Sequence, residues 1–401
     1  MKKSAKIFFL FSTALYWFSL YTYPVLLPDF AREALGASPL MVGAVAGSYG
    51  LVQMLLRVPL GFASDRLRRR KPFLTLGVAL ATLAALGLWQ ARTPAMALLA
   101  RGTAGAAAAS WVAFSVLFAS YASDGHGGMR AMGVLSACMT GSQLVSTQLG
   151  GWLAKAQGER AAFLLAAGAG VIGIVCSRFV VESRPAGAPP GPRALLRVAR
   201  NRLLLASAGL SILQQFIVWA TLYGFTPQWA KAALGADASQ LALLSTLYLL
   251  PNMLCSWLCG SWLSSRFGAR IMVVIGFLCM ALGCLGMPFA SALWQVLALQ
   301  ALCGAGVGCV APTLLALCIR DIAPPRQGMA MGLYQALYGI GMFTGPVLAG
   351  ALVDAASPII QGAPALIVGY RANFLAMAAV GALSAALALL WLPPDRRADM
   401  E

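Results

Sequence analysis

A chain of 401 residues with 60% hydrophobic and 10% charged side chains and a mean hydropathy of +0.79 lacks the polar residues that a soluble fold of this size needs for its surface. That excludes an ordinary soluble enzyme. The formal net charge of +17 would suit a nucleic-acid binder, but the placement of the charge excludes that partner, as the distribution of lysine and arginine shows.

Apolar runs of about the 20 residues that cross a hydrocarbon layer recur at 6–29, 39–62, 73–91, 95–120, 129–153, 161–181, 203–226, 239–263, 270–290, 294–319, 328–353 and 371–392. They predict an all-α membrane protein of twelve transmembrane helices. The first run, in MKKSAKIFFLFSTALYWF, is too long and too aromatic for a signal peptide and has no small-residue cleavage site after it. It is expected to be a retained helix. With the N-terminus inside, 20 of the 29 Lys and Arg fall in terminal segments and inner loops. Six fall in outer loops (Arg32, Arg92, Lys155, Arg160, Lys231 and Arg371), and three, Arg57, Arg101 and Arg178, lie within helices. By the positive-inside rule both termini are cytoplasmic. The basicity then belongs to topology and membrane lipids, and no nucleic acid is expected.

Polar residues within the runs follow helical spacing. Helix one carries Thr13, Trp17 and Tyr21, and helix two carries Tyr49, Gln53 and Arg57 at i, i+4, i+8. Helix five offers Ser136, Thr140, Gln143 and Thr147. Helix seven adds Gln215, Trp219 and Tyr223, helix eight Tyr248, Asn252 and Ser256, and helix eleven Tyr338. Helices three, six, nine and twelve have few such residues and are expected to face lipid. The substrate-cavity candidates are therefore Trp17, Tyr21, Tyr49, Gln53, Arg57, Arg101, Gln143, Gln215, Trp219, Tyr248, Asn252 and Tyr338. The two helix arginines are the expensive features, at about 2.5–3.5 kcal/mol each for mid-helix insertion. Arg57 can reach headgroups by snorkelling; Arg101, about two turns from the outer end of helix four, is less easily excused. No Asp or Glu lies at mid-depth, so a proton-coupling carboxylate is missing unless Asp29 reaches inward or the substrate carries the proton. All nine cysteines fall inside predicted helices, as small apolar packers, and His126 is the sole histidine. No metal, disulfide or cofactor is expected.

The chain also aligns with itself at an offset of 199 residues. PDFAREALGA from Pro28 matches PQWAKAALGA from Pro227; without a gap, Tyr49 then pairs with Tyr248, Gly105 with Gly304 and Gly151 with Gly350. Glycines recur in register where helices approach closely. The expected organisation is a six-helix bundle over 1–182, a cytoplasmic linker over 183–202 containing RPAGAPPGPR, and a second six-helix bundle over 203–401. Parallel repeats of this kind are typical of transporters that bind substrate between the halves.

Three segments carry a resemblance. The loop after helix two reads Gly61-Phe62-Ala63-Ser64-Asp65-Arg66-Leu67-Arg68-Arg69-Arg70-Lys71, and it is similar to the signature loop of the major facilitator superfamily, G-x-L-a-D-r-x-G-r-r. Arg68 stands where the pattern has its second glycine. The second half keeps a reduced copy in Arg266-Phe267-Gly268. Arg101-Gly102-Thr103-Ala104-Gly105 resembles the R-x-x-q-G element of helix four, with Ala104 replacing the polar residue. Gly341 to Gly350 resembles the G-x-x-x-G-P-x-x-G-G element that marks antiporters when it lies in helix five. Here it lies in helix eleven, so antiport does not follow. The resemblance implies the twelve-helix fold, a conformational latch at Gly61, Asp65, Arg66, Arg69 and Arg70, and a secondary transporter. Independently of the family, Asp65 can cap a helix N-terminus and the arginines can pair with carboxylates, Asp124 being the best partner for Arg69. Such a contact holds in one packing and breaks in another.

The leading reading is alternating-access transport of a small organic solute across the cell membrane by a monomer, leaning to a broad small-molecule exporter; coupling to an ion, a proton for instance, stays open. An organic-anion transporter using Arg101 and Arg57 is the alternative. From another class, a membrane enzyme would need a nucleophile with a base or a metal cluster on a loop, and a sensor an added soluble domain. The short loops offer neither.

Overall fold

In a computed structural model describing residues 3–67, 69–119, 121, 127–182, 198–259, 263–356 and 363–394, these residues form helices and short connections, with no strand among them. The first predicted span is two helices, α1 (Lys3–Tyr21) and α2 (Leu27–Glu33). Pro24 and Pro28 cause the interruption, because each lacks an N–H and disfavours helical geometry at the residue before it. Pro28 then opens α2, where a missing N–H does no harm. There follow α3 (Pro39–Leu67) and α4 (Lys71–Gln90). The fourth span is again divided, into α5 (Pro94–Ala109) and α6 (Trp111–Ala119), after Thr93 caps α5 by accepting from the Met96 N–H. The first half closes with α7 (Gly127–Gln157) and α8 (Glu159–Arg178).

Asn201 caps α9 (Arg202–Ala220), which passes through a π-helical turn (Thr221–Phe225) into α10 (Thr226–Leu234). Then come α11 (Ala238–Leu258), α12 (Ala269–Gly286), α13 (Leu293–Arg320), α14 (Pro324–Ala356) and α15 (Ala363–Trp391). Among the described residues nine helical segments are long and apolar enough to cross a membrane, and Lys6–Tyr21 is a shorter apolar helix. The other two predicted spans are the divided α5–α6 and the serine-, threonine- and glutamine-rich α7.

The chain forms two compact units, one of Met1–Ala37, Ser48–Pro189 and Asp237–Ala242, the other of Ser38–Gly47, Pro190–Ala236 and Leu243–Glu401. Most of the expected linker, 183–197, lies outside the described residues. In both units large apolar side chains remain exposed: Leu83 on α4, Ile172 on α8, Leu282 on α12 and Leu390 on α15 are all more than half accessible. These are the four helices expected to face lipid, and patches of this kind require an apolar solvent.

The sequence repeat reappears as geometry. α3 and α11 start at 39 and 238, and α5 and α13 at 94 and 293, each pair 199 apart. Residues 22–26, between α1 and α2, map onto the π-helical turn 221–225. Gly105 lies against the backbone carbonyl of Tyr49, and Gly304 lies against that of Tyr248. Both members of each contact match at the same offset. A methyl at either glycine would enter the carbonyl oxygen of the neighbouring helix, a clash that repacking can relieve only by separating two backbones. Gly105→Ala and Gly304→Ala are expected to lower stability by about 1–3 kcal/mol, read as melting temperature in detergent. Gly141→Ala, which meets no atom within 4 Å, should melt with the unaltered protein.

Candidate substrate-binding interior

In the first unit, α1 and α6 build an aromatic cluster. Trp17 meets Trp111 edge-on at 4.9 Å and Tyr16 at 5.2 Å, and tilts towards Tyr21 at 5.5 Å. Trp17 is buried, yet its indole N–H has no acceptor among the described residues. The predicted stripe of Tyr49, Gln53 and Arg57 shares one buried face of α3. Arg57 donates through Nη2 to the Ala108 carbonyl at 3.5 Å. With the Gln53 amide turned so that its oxygen faces the guanidinium, that oxygen accepts from Nη1 and Nη2 at 3.0 and 2.9 Å. Arg57 is thus held inside the unit and does not snorkel.

Arg101 is 2% exposed and lies over the Tyr49 ring at 4.3 Å and the Tyr23 ring at 5.7 Å. A buried cation between two ring faces is stabilised by their quadrupoles. Tyr23 was invisible as a partner in the sequence because it stands in the non-helical link between α1 and α2, outside any helical stripe. Asp29 is buried in the first turn of α2. On α7, Gln143 is buried. Its neighbours Ser142 and Thr147 donate to the Ala14 and Tyr21 carbonyls of α1, Thr147 at 3.0 Å. Part of that stripe therefore ties helices together.

In the second unit Trp219 and Tyr223 pack at 4.9 Å on either side of the entry to the π-helical turn, a distortion frequent at functional positions. Tyr248 is buried, and Asn252, partly buried, accepts from Ser256 at 3.2 Å. Tyr338 stacks edge-on to Tyr334 at 5.7 Å, and Tyr334 bonds to Ser211 at 2.9 Å. Gln215, chosen from helical spacing, is half-buried. Its neighbour Gln214 is buried, and its amide oxygen has no donor among the described residues. A one-residue difference turns a helix by about 100°, which periodicity over a short polar set does not resolve.

The glycines of the helix-eleven element have a packing role. Gly341 and Gly345 on α14 lie against the backbone of Ile212 and Phe216 on α9, where a side chain would separate the helices. At the signature loop, Gly61 and Arg66 are accessible, as is Arg69. Arg70 is buried and donates to Ser64 Oγ. The Asp65 side chain and Asp124 lie outside the described residues. The carboxylate that engages this loop is one the sequence did not single out: Glu182, just beyond α8, accepts from the backbone N–H groups of Arg70 and Lys71 at 2.9 Å each. It caps α4 from a distance of over 100 residues along the chain. All nine cysteines are free, and no cluster of three metal-ligating side chains occurs among the described residues.

Membrane-length helices in a repeated arrangement, lipid-exposed apolar faces and polar, aromatic interiors define a polytopic membrane carrier. The sequence profile of the Major Facilitator Superfamily matches residues 9–232 and 208–401. The chain belongs to this superfamily: it is a multi-pass secondary transporter and not an enzyme. It is 27% identical over 329 residues to the tetracycline resistance protein, class C, of Escherichia coli, covering 80% of this chain and 82% of that one. It is 29% identical over 226 residues to the multidrug resistance protein B homolog of Mycobacterium tuberculosis (strain ATCC 25618 / H37Rv), covering 55% of this chain and 39% of that longer protein. Among solved structures, the nucleoside transporter NupG (D323A mutant) superposes with a TM-score of 0.80 at 12% identity, over 97% of this chain and all of that one. A bacterial homologue of the human lysosomal transporter Spinster gives 0.78 at 14% identity, over 97% of both chains. At such identities these two establish the fold alone.

Proposed function

We propose that this transporter exports amphipathic, partly aromatic small molecules across the cell membrane by alternating access, as a monomer with both termini in the cytoplasm and an ion gradient as its energy source. The observation that carries the reading is two buried polar atoms, one in each unit, that have no partner among the described residues: the Trp17 indole N–H, beside the Trp111 ring, and the Gln214 amide oxygen. Leaving such a group unsatisfied costs about 1–3 kcal/mol, a cost that a ligand with complementary polar atoms removes. The relatives named for tetracycline and multidrug resistance support export as the direction. The engagement of Arg57 by Gln53 and of Arg101 by two tyrosines speaks against an organic anion as their partner.

The test is accumulation in a drug-sensitive bacterial host. Cells making the protein should hold less tetracycline and less of a fluorescent lipophilic cation, and collapse of the proton gradient should abolish the difference. Trp17→Phe keeps the ring and removes the donor. It should raise the half-saturating concentration about three- to tenfold, the loss of one hydrogen bond. Equal accumulation with and without the protein would end the export reading. Orientation is tested by single cysteines. Labels at Ala37, Gly158 and Gly235 should react with an impermeant reagent added outside, and labels at Arg68, Pro190 and Asp395 only after permeabilisation. A mixed result within either set defeats the assignment.

A further inference from the structure

Two clefts lie apart from the aromatic interiors, one in each unit. The first, about 700 Å³, opens beside the start of α4 and the end of α8 and is lined by Arg69, Lys71, Thr75, Arg178 and Glu182 together with Pro72. The second, about 580 Å³, opens beside the starts of α9 and α12 and the ends of α13 and α15; its charged lining is Arg202, Arg270, Arg320 and Asp321. Each holds three cations against one carboxylate. They share one repeat-related position: Lys71 and Arg270 are 199 residues apart, and each stands at the start of the corresponding helix.

In the first cleft the single carboxylate is already committed, because Glu182 accepts from two backbone N–H groups. The Lys71 ammonium is anchored on the Arg178 carbonyl at 2.6 Å, which fixes it at the rim. In the second, Asp321 pairs with the neighbouring Arg320 at 3.3 Å, and Arg270 donates to the Leu389 carbonyl. Exposed apolar residues accompany the charges: Leu389, Leu390 and Trp391 line the second cleft, and at the first Val175, Phe179 and Val181 are exposed on the same stretch of chain as Arg178 and Glu182. A basic recess adjoining an accessible apolar wall complements an amphiphile with an anionic head and hydrocarbon tails. Each volume exceeds by far the roughly 30 Å³ share of one water and accommodates a phosphodiester headgroup.

We infer that these clefts are paired binding sites for anionic phospholipids, whose phosphodiester sits among the cations while the acyl chains lie along α8 or α15. Arginine suits that role because its planar donors match phosphate oxygens. The leaflet follows from the proposed orientation: with the termini inside, both clefts open to the cytoplasmic leaflet, which attracts juxtamembrane basic clusters.

The test is native mass spectrometry of the full chain purified in detergent with added phosphatidylglycerol or phosphatidylcholine. The expected result is retention of up to two phosphatidylglycerol molecules and no comparable retention of phosphatidylcholine. Lys71→Gln with Arg178→Gln should remove one adduct, and Arg270→Gln with Arg320→Gln the other, each site weakening about tenfold or more. Where a double variant does not purify as a monodisperse protein, the single changes Arg178→Gln and Arg320→Gln carry the comparison, with Arg178→Lys as a charge-retaining control. Equal retention of the two lipids, or phosphatidylglycerol binding unchanged in all variants, overturns the proposal. So does a cleft-dependent rise in melting temperature with inorganic phosphate alone, which would make these sites for a free anion. The adduct count does not depend on topology, so reversed cysteine labelling would change the leaflet and leave the sites standing.

Discussion

Arg101→Ala is expected to lose about 2–4 kcal/mol of stability while the affinity for a transported compound stays within about twofold, since each desolvated cation–π contact contributes up to about 2 kcal/mol. The guanidinium is 4.3 Å from the Tyr49 ring and 5.7 Å from the Tyr23 ring. Tyr49 is on α3, Arg101 on α5, and Tyr23 in the link between α1 and α2. One side chain therefore ties three segments of the unit, and its removal leaves both rings facing a void. Arg101→Lys should fall between, because the ammonium keeps the charge but cannot stack flat on a ring. Arg101→Met separates volume from charge: a melting temperature near that of the alanine variant assigns the loss to the cation. Melting temperature and ligand dissociation constant on the same purified variants decide the question. An anion site would give the opposite pattern, with anion affinity down ten- to a hundredfold and stability little changed.

Most of the fold was legible because hydrocarbon imposes a simple rule: spans need about 20 apolar residues. Less legible were the departures from regular helix. TYPVL at 22–26 and TLYGF at 221–225 align in register, yet the first is an interruption set by Pro24 and the second a π-helical turn. Periodicity carries straight through both, so Tyr23 was missed as the partner of Arg101. Stripes at i, i+4 named a face of α3 on which Tyr49, Gln53 and Arg57 are all buried. They could not distinguish residues that line space from those that bond to a neighbouring backbone, as Thr147 does to Tyr21. Glu182 was hidden for another reason. Its partners are main-chain N–H groups of Arg70 and Lys71, and a carboxylate that caps a distant helix leaves no motif at its own position.

The signature loop carries the second large effect. Asp65→Asn and Arg69→Ala are expected to cut transport about tenfold or more, equivalent to about 1.4 kcal/mol on a rate-limiting conformational step, with membrane insertion intact. Glu182→Ala should join them. Its carboxylate accepts two hydrogen bonds of 2.9 Å from the N-terminus of α4, where charge and helix dipole reinforce each other. Bonds to a charged acceptor contribute about 1.5–3 kcal/mol each, so their loss frees the loop from the end of α8. Glu182→Gln keeps an acceptor and loses the charge, and should retain an intermediate rate. Rates are compared per folded protein, with the amount in the membrane measured in the same cells. A slow Glu182→Ala beside normal Asp65→Asn and Arg69→Ala would move the latch from the loop carboxylate to α8. Normal rates in all three would remove the loop from the transport cycle and leave its arginines as lipid contacts. If instead Asp65→Asn and Arg69→Ala are slow and Glu182→Ala is not, the cap on α4 is structural and the moving contact belongs to Asp65.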